Sequence, residues 1–292
     1  MKAALLKDRG VLRVTGEPAR HFLNNLVTSD IETLAPGTAR YTALLSPQGK
    51  IVADFFVVAA PAYEGGFYID CSVDIAAELH QKLGFYRLRA KLTIEKVDLA
   101  VLAAWDGDGS TARGIVYHDP RLPALGLRVL VSPDAAKDAA AELGATWVDA
   151  NDYDAHRIAL GVPRGGLDFL YGDAFPHDAD LDKLHGVDFG KGCFIGQEVV
   201  SRVEHRGTAR NRIVPVSFDD EAPPIGANVM AGDKIVGTMG SSADEMGLAM
   251  LRIDRVADAL AAGARLSAEG IPLRLREGFT DFIEKKESKP AG

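Results

Sequence analysis

Apolar positions along the chain change period several times, and each change marks an element. Val11–Val14 reads as a short strand. Phe22, Leu23 and Leu26 fall on one stripe of a helix over Glu17–Leu26, and Pro36-Gly37 marks a turn. Tyr41–Leu45 and Ile51–Ala59 are strand-like runs joined through Ser46-Pro47-Gln48-Gly49. Ser72 suits the N-cap of a helix through Leu83, with Gly84 as its stop. An alternating strand is predicted next, with Tyr86, Leu88, Ala90, Leu92 and Ile94 on one face. Arg87, Arg89, Lys91, Thr93 and Glu95 take the other. Strands near Ala100–Trp105 and Leu127–Val131 follow. Then come helices over Pro133–Leu143, stopped at Gly144, and Asp152–Leu160, stopped at Gly161. Strands and helices mix without a steady βαβ rhythm, which is an α+β pattern.

The texture changes near Arg206. Ile213–Phe218, Ile235–Met239, Leu248–Ile253 and Ile271–Leu275 alternate with Gly, Pro and Asp turns, the pattern of a small β-barrel or sandwich. The expected organisation is a region over 1–205, with lobes divided near 47 and 100. A C-terminal β-barrel over 206–283 and a disordered tail over 284–292 follow it.

Composition narrows this picture. A chain of 292 residues suggests more than one compact unit. Its net charge of −8 argues against broad nucleic-acid binding. No apolar run approaches the length of about 18 residues that a spanning helix needs, so no membrane partner is expected. Lys7, Asp8 and Arg9 interrupt the N-terminal apolar run before it can form a secretory core, and the expected location is the cytoplasm. Cys71 and Cys193 are far apart and form neither a metal pattern nor a disulfide framework. Cys71, after the strand Phe67–Asp70, reads as core.

The densest chemistry lies in Lys191-Gly192-Cys193-Phe194-Ile195-Gly196-Gln197-Glu198. A helix from Gln197 would place Cys193 just before its N-terminus, with Lys191 nearby. A helix end and a cation both raise the thiolate fraction of a cysteine. Gly192 and Gly196 allow a close approach or a tight bend. The plain alternative is a cysteine buried in a tight loop. Asp54 is the second candidate, because it shares a strand face with Val52, Phe56 and Val58. A carboxylate there is costly unless it is paired or bonded, by a ligand or by backbone N–H groups. Two basic sets stand out: Arg87, Arg89 and Lys91, and Arg202, His205, Arg206, Arg210 and Arg212. Arginine forks suit carboxylates and phosphates, and a solvated face explains them equally. His177, Asp178, Asp180, Asp182, His185 and Asp188 match no metal spacing, so a polar loop and no metal are expected.

KGCFIGQE is similar to the signature of the folate-binding YgfZ family, K-G-C-[FY]-[IT]-G-Q-E. That family is related to the glycine-cleavage T-protein (aminomethyltransferase, GcvT). Phe22-Leu23 through Thr28-Ser29-Asp30-Ile31, Tyr41-Thr42 through Pro47-Gln48-Gly49-Lys50 with Asp54, and Arg157 through Gly161 and Pro163 resemble the family in the same order. The resemblance implies a T-protein-like, three-lobed ring with a central folate channel, followed by the barrel. It implies tetrahydrofolate as cofactor and a role in assembly or repair of iron–sulfur proteins. Partners would be iron–sulfur client enzymes, radical-type tRNA-modifying enzymes included. Cys193 and Lys191 map onto the family's cysteine and lysine, and Asp54 onto an aspartate that approaches the folate. Arg87, Arg89, Gly192, Gly196, Gln197, Glu198, Arg202 and Arg206 are the further candidates for folate contact. One departure is plain. T-proteins carry a pterin-binding glutamate in R-x-E-x-G, and here that position is Ala159. A folate-dependent aminomethyltransferase and a non-catalytic scaffold remain as the competing functions.

Overall fold

The computed structural model describes residues 1–207, 209–219, 221–276 and 278. The expected tail over 284–292 lies outside the described residues. The chain divides into two units, the first made of Met1–Tyr153 with Leu181–Ser201, the second of Asp154–Asp180 with the chain from Arg202 on.

The first unit contains β1 (Lys2–Leu6), β2 (Arg9–Thr15), α1 (Ala19–Leu26), β3 (Ala39–Leu45), β4 (Ile51–Ala59), β5 (Phe67–Ser72) and α2 (Val73–Arg87). It continues with β6 (Thr93–Val97), β7 (Ala100–Trp105), β8 (Ile115–His118), β9 (Leu127–Val131), α3 (Ala136–Glu142) and β10 (Thr146–Trp147). Two five-stranded sheets result, ordered β3-β4-β5-β2-β6 and β10-β1-β7-β9-β8. In the first sheet, alternation sorts β4 into two faces. Phe55, Val57 and Ala59 join Leu12 and Val14 of β2, Leu23 of α1 and Leu79 and Leu83 of α2 in one dry core. Asp54 and Phe56 take the opposite face, where Ala43 pairs with Asp54, Tyr41 with Phe56, and Phe56 with Asp70.

That opposite face is polar and still buried. Asp70 is fully buried, and its carboxylate accepts bonds from Arg9 Nε at 2.6 Å, Arg128 Nη1 at 3.0 Å and Tyr117 Oη at 2.8 Å. Asp119 accepts from Arg121 Nη2 at 2.7 Å and Arg128 Nε at 2.9 Å. The guanidinium carbons of Arg128, Arg121 and Arg9 lie 4.4, 4.9 and 5.6 Å from the centre of the Phe56 ring, within cation–π range. Desolvation alone would push the Asp119 carboxyl up, but Arg121 and Arg128 outweigh it and hold Asp119 well below the ordinary carboxylate range. Every charge here has a partner, which is the condition for burying charge at all.

The chain enters the second unit within α4 (Ala150–Ala159), returns at Leu181 and leaves again within α5 (Gln197–Arg206). The second unit holds β11 (Asn211–Ser217), β12 (Asn228–Ala231), β13 (Lys234–Ala243), β14 (Met246–Arg252), α6 (Ile253–Ala261), β15 (Leu266–Ala268) and β16 (Ile271–Leu275). The strands close a barrel in the order β11-β14-β13-β12-β15-β16, filled by Val216, Phe218, Val229, Leu251 and Val256 among others. Arg157 is buried in this unit. It bonds Asp168 Oδ2 at 3.0 Å and Ser241 Oγ at 3.0 Å, so the arginine of the 157–161 run anchors the end of α4 to β13.

The alternating strand expected over 86–95 is not formed. α2 runs through Gly84 to Arg87, and β6 begins only at Thr93. Arg87, Arg89 and Lys91 therefore share no strand face. Gly84 keeps helical backbone, and the turn falls instead on Leu88, at φ 48° and ψ −111°. The Ala90 N–H bonds the Arg87 carbonyl at 2.8 Å, closing a type II′ turn. Ser72 does occupy the N-cap of α2, but its side chain makes no capping bond.

Replacing Arg128 with Met removes the cation shared by two buried carboxylates, leaving Asp70 with Arg9 and Asp119 with Arg121, and is expected to lower the unfolding free energy by about 1–3 kcal/mol in urea titrations. In the wild type, the unfolded chain binds more protons than the folded one below the ordinary Asp119 value of 3.8. Stability from this group is present above that value and is lost as the pH falls below it.

Candidate functional site

The β3–β4 hairpin carries the site on both its face and its turn. On the face, Tyr41 Oη donates to Asp54 Oδ2 at 2.9 Å, and Asp54 is 7% exposed. Burial, reinforced by Asp54, pushes the Tyr41 hydroxyl well above its usual range, so it stays a donor to the carboxylate. The Arg121 guanidinium lies 5.4 Å from the centre of the Tyr41 ring, which links Asp54 to the buried ionic network. The sequence flags Asp54 as a charge on an apolar face but not its neighbours in the network, Asp70, Asp119, Arg121, Arg128 and Tyr117. The signal was available for two of them: Asp70 stands in FYIDCS and Arg128 in LRVLV, each a charge inside an apolar strand.

The turn at 46–49 receives the KGCFIGQE loop. Gly196 has φ 79°, and a Cβ there would stand 2.6 Å from the Ser46 carbonyl oxygen and 3.0 Å from Gly49 Cα. Of the close approach or tight bend that Gly196 allows, the structure shows a close approach to the hairpin turn. At Gly192 a Cβ would meet open space, so no close approach requires that glycine. Phe194 is buried, while Cys193 is exposed, which removes the reading of a cysteine enclosed in its loop. Cys193 lies four positions ahead of Gln197, the first residue of α5. Cys71 is the core cysteine, its thiol pushed up to about 12 chiefly by burial.

Lys191 anchors the loop. Its ammonium donates to the carbonyls of Asn24 at 2.6 Å, Val27 at 2.7 Å and Ser29 at 2.9 Å. These lie at and just beyond the end of α1, where unsatisfied carbonyls favour a cation. An ammonium has three protons, so its donors are all engaged there. Burial lowers the Lys191 pKa to about 8, while Asp30, Asp188 and Glu32 pull it upward. Gln197 is half-buried and Glu198 exposed on the first turn of α5, with Arg202 and Arg206 further along the helix. Arg87 ends α2 and bonds the Leu92 carbonyl at 3.3 Å, and Arg89 is exposed in the turn that follows. Ala159 ends α4.

A cavity of about 370 Å³ opens in the first unit, lined in part by Ser29, Arg40, Pro120, His185 and Asp188. Its volume lies at the lower end of the range for small-molecule sites. Arg40 precedes Tyr41 and Pro120 precedes Arg121, so the cavity wall and the ionic network share chain segments. Asp188 caps the Gly190 N–H at 2.8 Å and Asp178 the Phe175 N–H at 2.9 Å, while Asp180 pairs with Arg212 at 3.0 Å. These acids of the 177–188 run make structural contacts.

With this geometry in view, sequence and fold comparisons identify relatives. The GCVT N-terminal domain family matches residues 7–101, and the CAF17 C-terminal beta-barrel domain family matches residues 210–278. The mitochondrial iron–sulfur cluster assembly factor IBA57 of Homo sapiens is 30% identical, over 95% of this chain and 84% of its own length. The chain belongs to the IBA57 family. A homolog from Mycosarcoma maydis is 36% identical over 74% of the chain, and the match spans 57% of that relative. The glycine cleavage system aminomethyltransferase T of Bartonella henselae shares the fold, with a TM-score of 0.75 at 17% identity, covering 97% of this chain and 86% of its own. The expected T-protein-like α+β fold with a C-terminal barrel is therefore present. The YgfZ resemblance holds at the level of the GcvT-like family, in which the matched relatives carry the IBA57 name.

The expected cytoplasmic location is corrected by the same comparisons. The matched human, mouse and fungal factors are named as mitochondrial, pointing to the mitochondrion and not to the cytoplasm. A secretory core is apolar, whereas an organelle address is amphipathic and basic, so the lack of the first says nothing of the second.

Lys191→Met leaves the three carbonyls without their cation. It is expected to lower the unfolding free energy by about 2–3 kcal/mol, read from the urea midpoint.

Proposed function

We propose that this IBA57-family chain is an iron–sulfur assembly factor that presents the Cys193 thiol to cluster cargo or client and binds tetrahydrofolate in its first unit. One observation carries the reading. In a chain similar along nearly its whole length to a named iron–sulfur assembly factor, the cysteine of KGCFIGQE is exposed while the loop around it is fixed by Phe194, Gly196 and Lys191. A thiolate is a favoured ligand for iron in clusters, and a fixed loop presents it without a large ordering cost.

The donor set supports a folate. Asp54 offers a carboxylate to a donor-rich ring, and Arg40 in the cavity wall offers a guanidinium to an acidic tail. When bound, the folate would supply one-carbon chemistry. Asp54 would orient its ring, with Tyr41 holding the carboxylate in place. Ala159 supplies no polar group for a pterin, which favours the assembly role over aminomethyl transfer. Clients are iron–sulfur enzymes, with radical-type tRNA-modifying enzymes among those to be tried.

Cluster loading of an apo-client, followed by visible absorbance, tests the thiol. Wild type is expected to raise the loading rate, and Cys193→Ser to return it to the unassisted rate with an unchanged urea midpoint. Full activity in Cys193→Ser would remove the thiol from the function.

A further inference from the structure

The end of α2 breaks local rules in a way that neither the fold nor the proposed site requires. Gly84 stands in a helical turn with open space where a Cβ would sit, although alanine would favour the helix there. Four residues later Leu88 takes φ 48° at the first central position of a type II′ turn, a place that favours glycine. The two residue types are reversed from what local stability would choose. The reversal puts a large side chain into solvent, for Leu88 is 82% exposed and Phe85, one turn earlier, is 76% exposed.

The surroundings are basic. Arg87, Arg89 and Lys91 are exposed beside these two side chains. Among the described residues, the side chains of Arg89 and Lys91 make no hydrogen bond or ion pair. A favourable contact between cations and the helix dipole explains the charges alone, but it leaves the exposed Phe and Leu unexplained. Such high exposure puts both side chains on a projection and not in a groove, so the surface is shaped to insert and not to enclose. A projecting aromatic and aliphatic pair ringed by cations matches an interface of acyl chains beneath anionic headgroups.

We propose that the Phe85–Lys91 segment docks the protein on an anionic lipid surface, with Phe85 and Leu88 entering the interface and Arg87, Arg89 and Lys91 meeting the headgroups. The expectation of no membrane partner rested on the lack of a spanning run, and a peripheral contact needs none. With a net charge of −8, the rest of the chain is repelled by such a surface. The contact is therefore local, sets one orientation and weakens with added salt.

Co-sedimentation with phosphatidylcholine vesicles, with and without phosphatidylglycerol, tests the proposal on the full chain. Wild type is expected to sediment with the phosphatidylglycerol vesicles alone. Leu88→Gly should weaken that binding about tenfold while raising the thermal midpoint, because glycine relieves the turn. Arg89→Ser combined with Lys91→Ser should remove the preference for phosphatidylglycerol. The proposal is overturned if folded wild type ignores these vesicles, which would assign the projection to a soluble acidic protein. Leu88→Gly binding like wild type, or melting below it, would overturn it equally.

Discussion

The pairing of Asp70 and Asp119 with Arg9, Arg121 and Arg128 around the Phe56 ring is the constraint on which the first unit depends. Arg128 bonds both aspartates, so its position ties the Asp70 pair to the Asp119 pair. The gain from such a network is geometric. Well-packed apolar residues of similar volume match the stability of such networks, but they do not fix strand positions so narrowly. It joins β2, β4 and β5 of one sheet to β8 and β9 of the other, through Arg9, Phe56, Asp70, Tyr117 and Arg128.

The candidate site inherits that rigidity through one hairpin. Tyr41 and Asp54 hang on the same face as Phe56, while the turn beyond them seats Gly196 and the cysteine loop. Lys191 ties the loop to the end of α1 as well. An exposed thiol is thereby held on a fixed mount, and a buried carboxylate is held at the edge of an ionic network. Both are conditions for recognition without a large entropic cost.

Much of this was legible in the sequence. The β3–β4 hairpin, α1, the glycine stop at 161 and the cysteine loop follow from period, turn chemistry and motif. Asp54 followed from a charge on an apolar face. The same test applied to FYIDCS and LRVLV would have flagged Asp70 and Arg128, but no local rule says which charges will meet. The strand predicted over 86–95 failed because alternation continued through a helix end and a turn. Gly84 looked like the stop, and Leu88 is a poor candidate for a positive φ. In the barrel, β12 and β15 are 4 and 3 residues long, too short to show a period.

Calorimetry of tetrahydrofolate with the reduced protein, on wild type and Asp54→Ala, tests the central claim most directly. The account predicts saturable binding to wild type and loss of at least about tenfold in affinity in the variant, the scale expected when a charged hydrogen bond is removed. No binding to folded wild type, or equal binding to both, would contradict the site drawn here around Asp54.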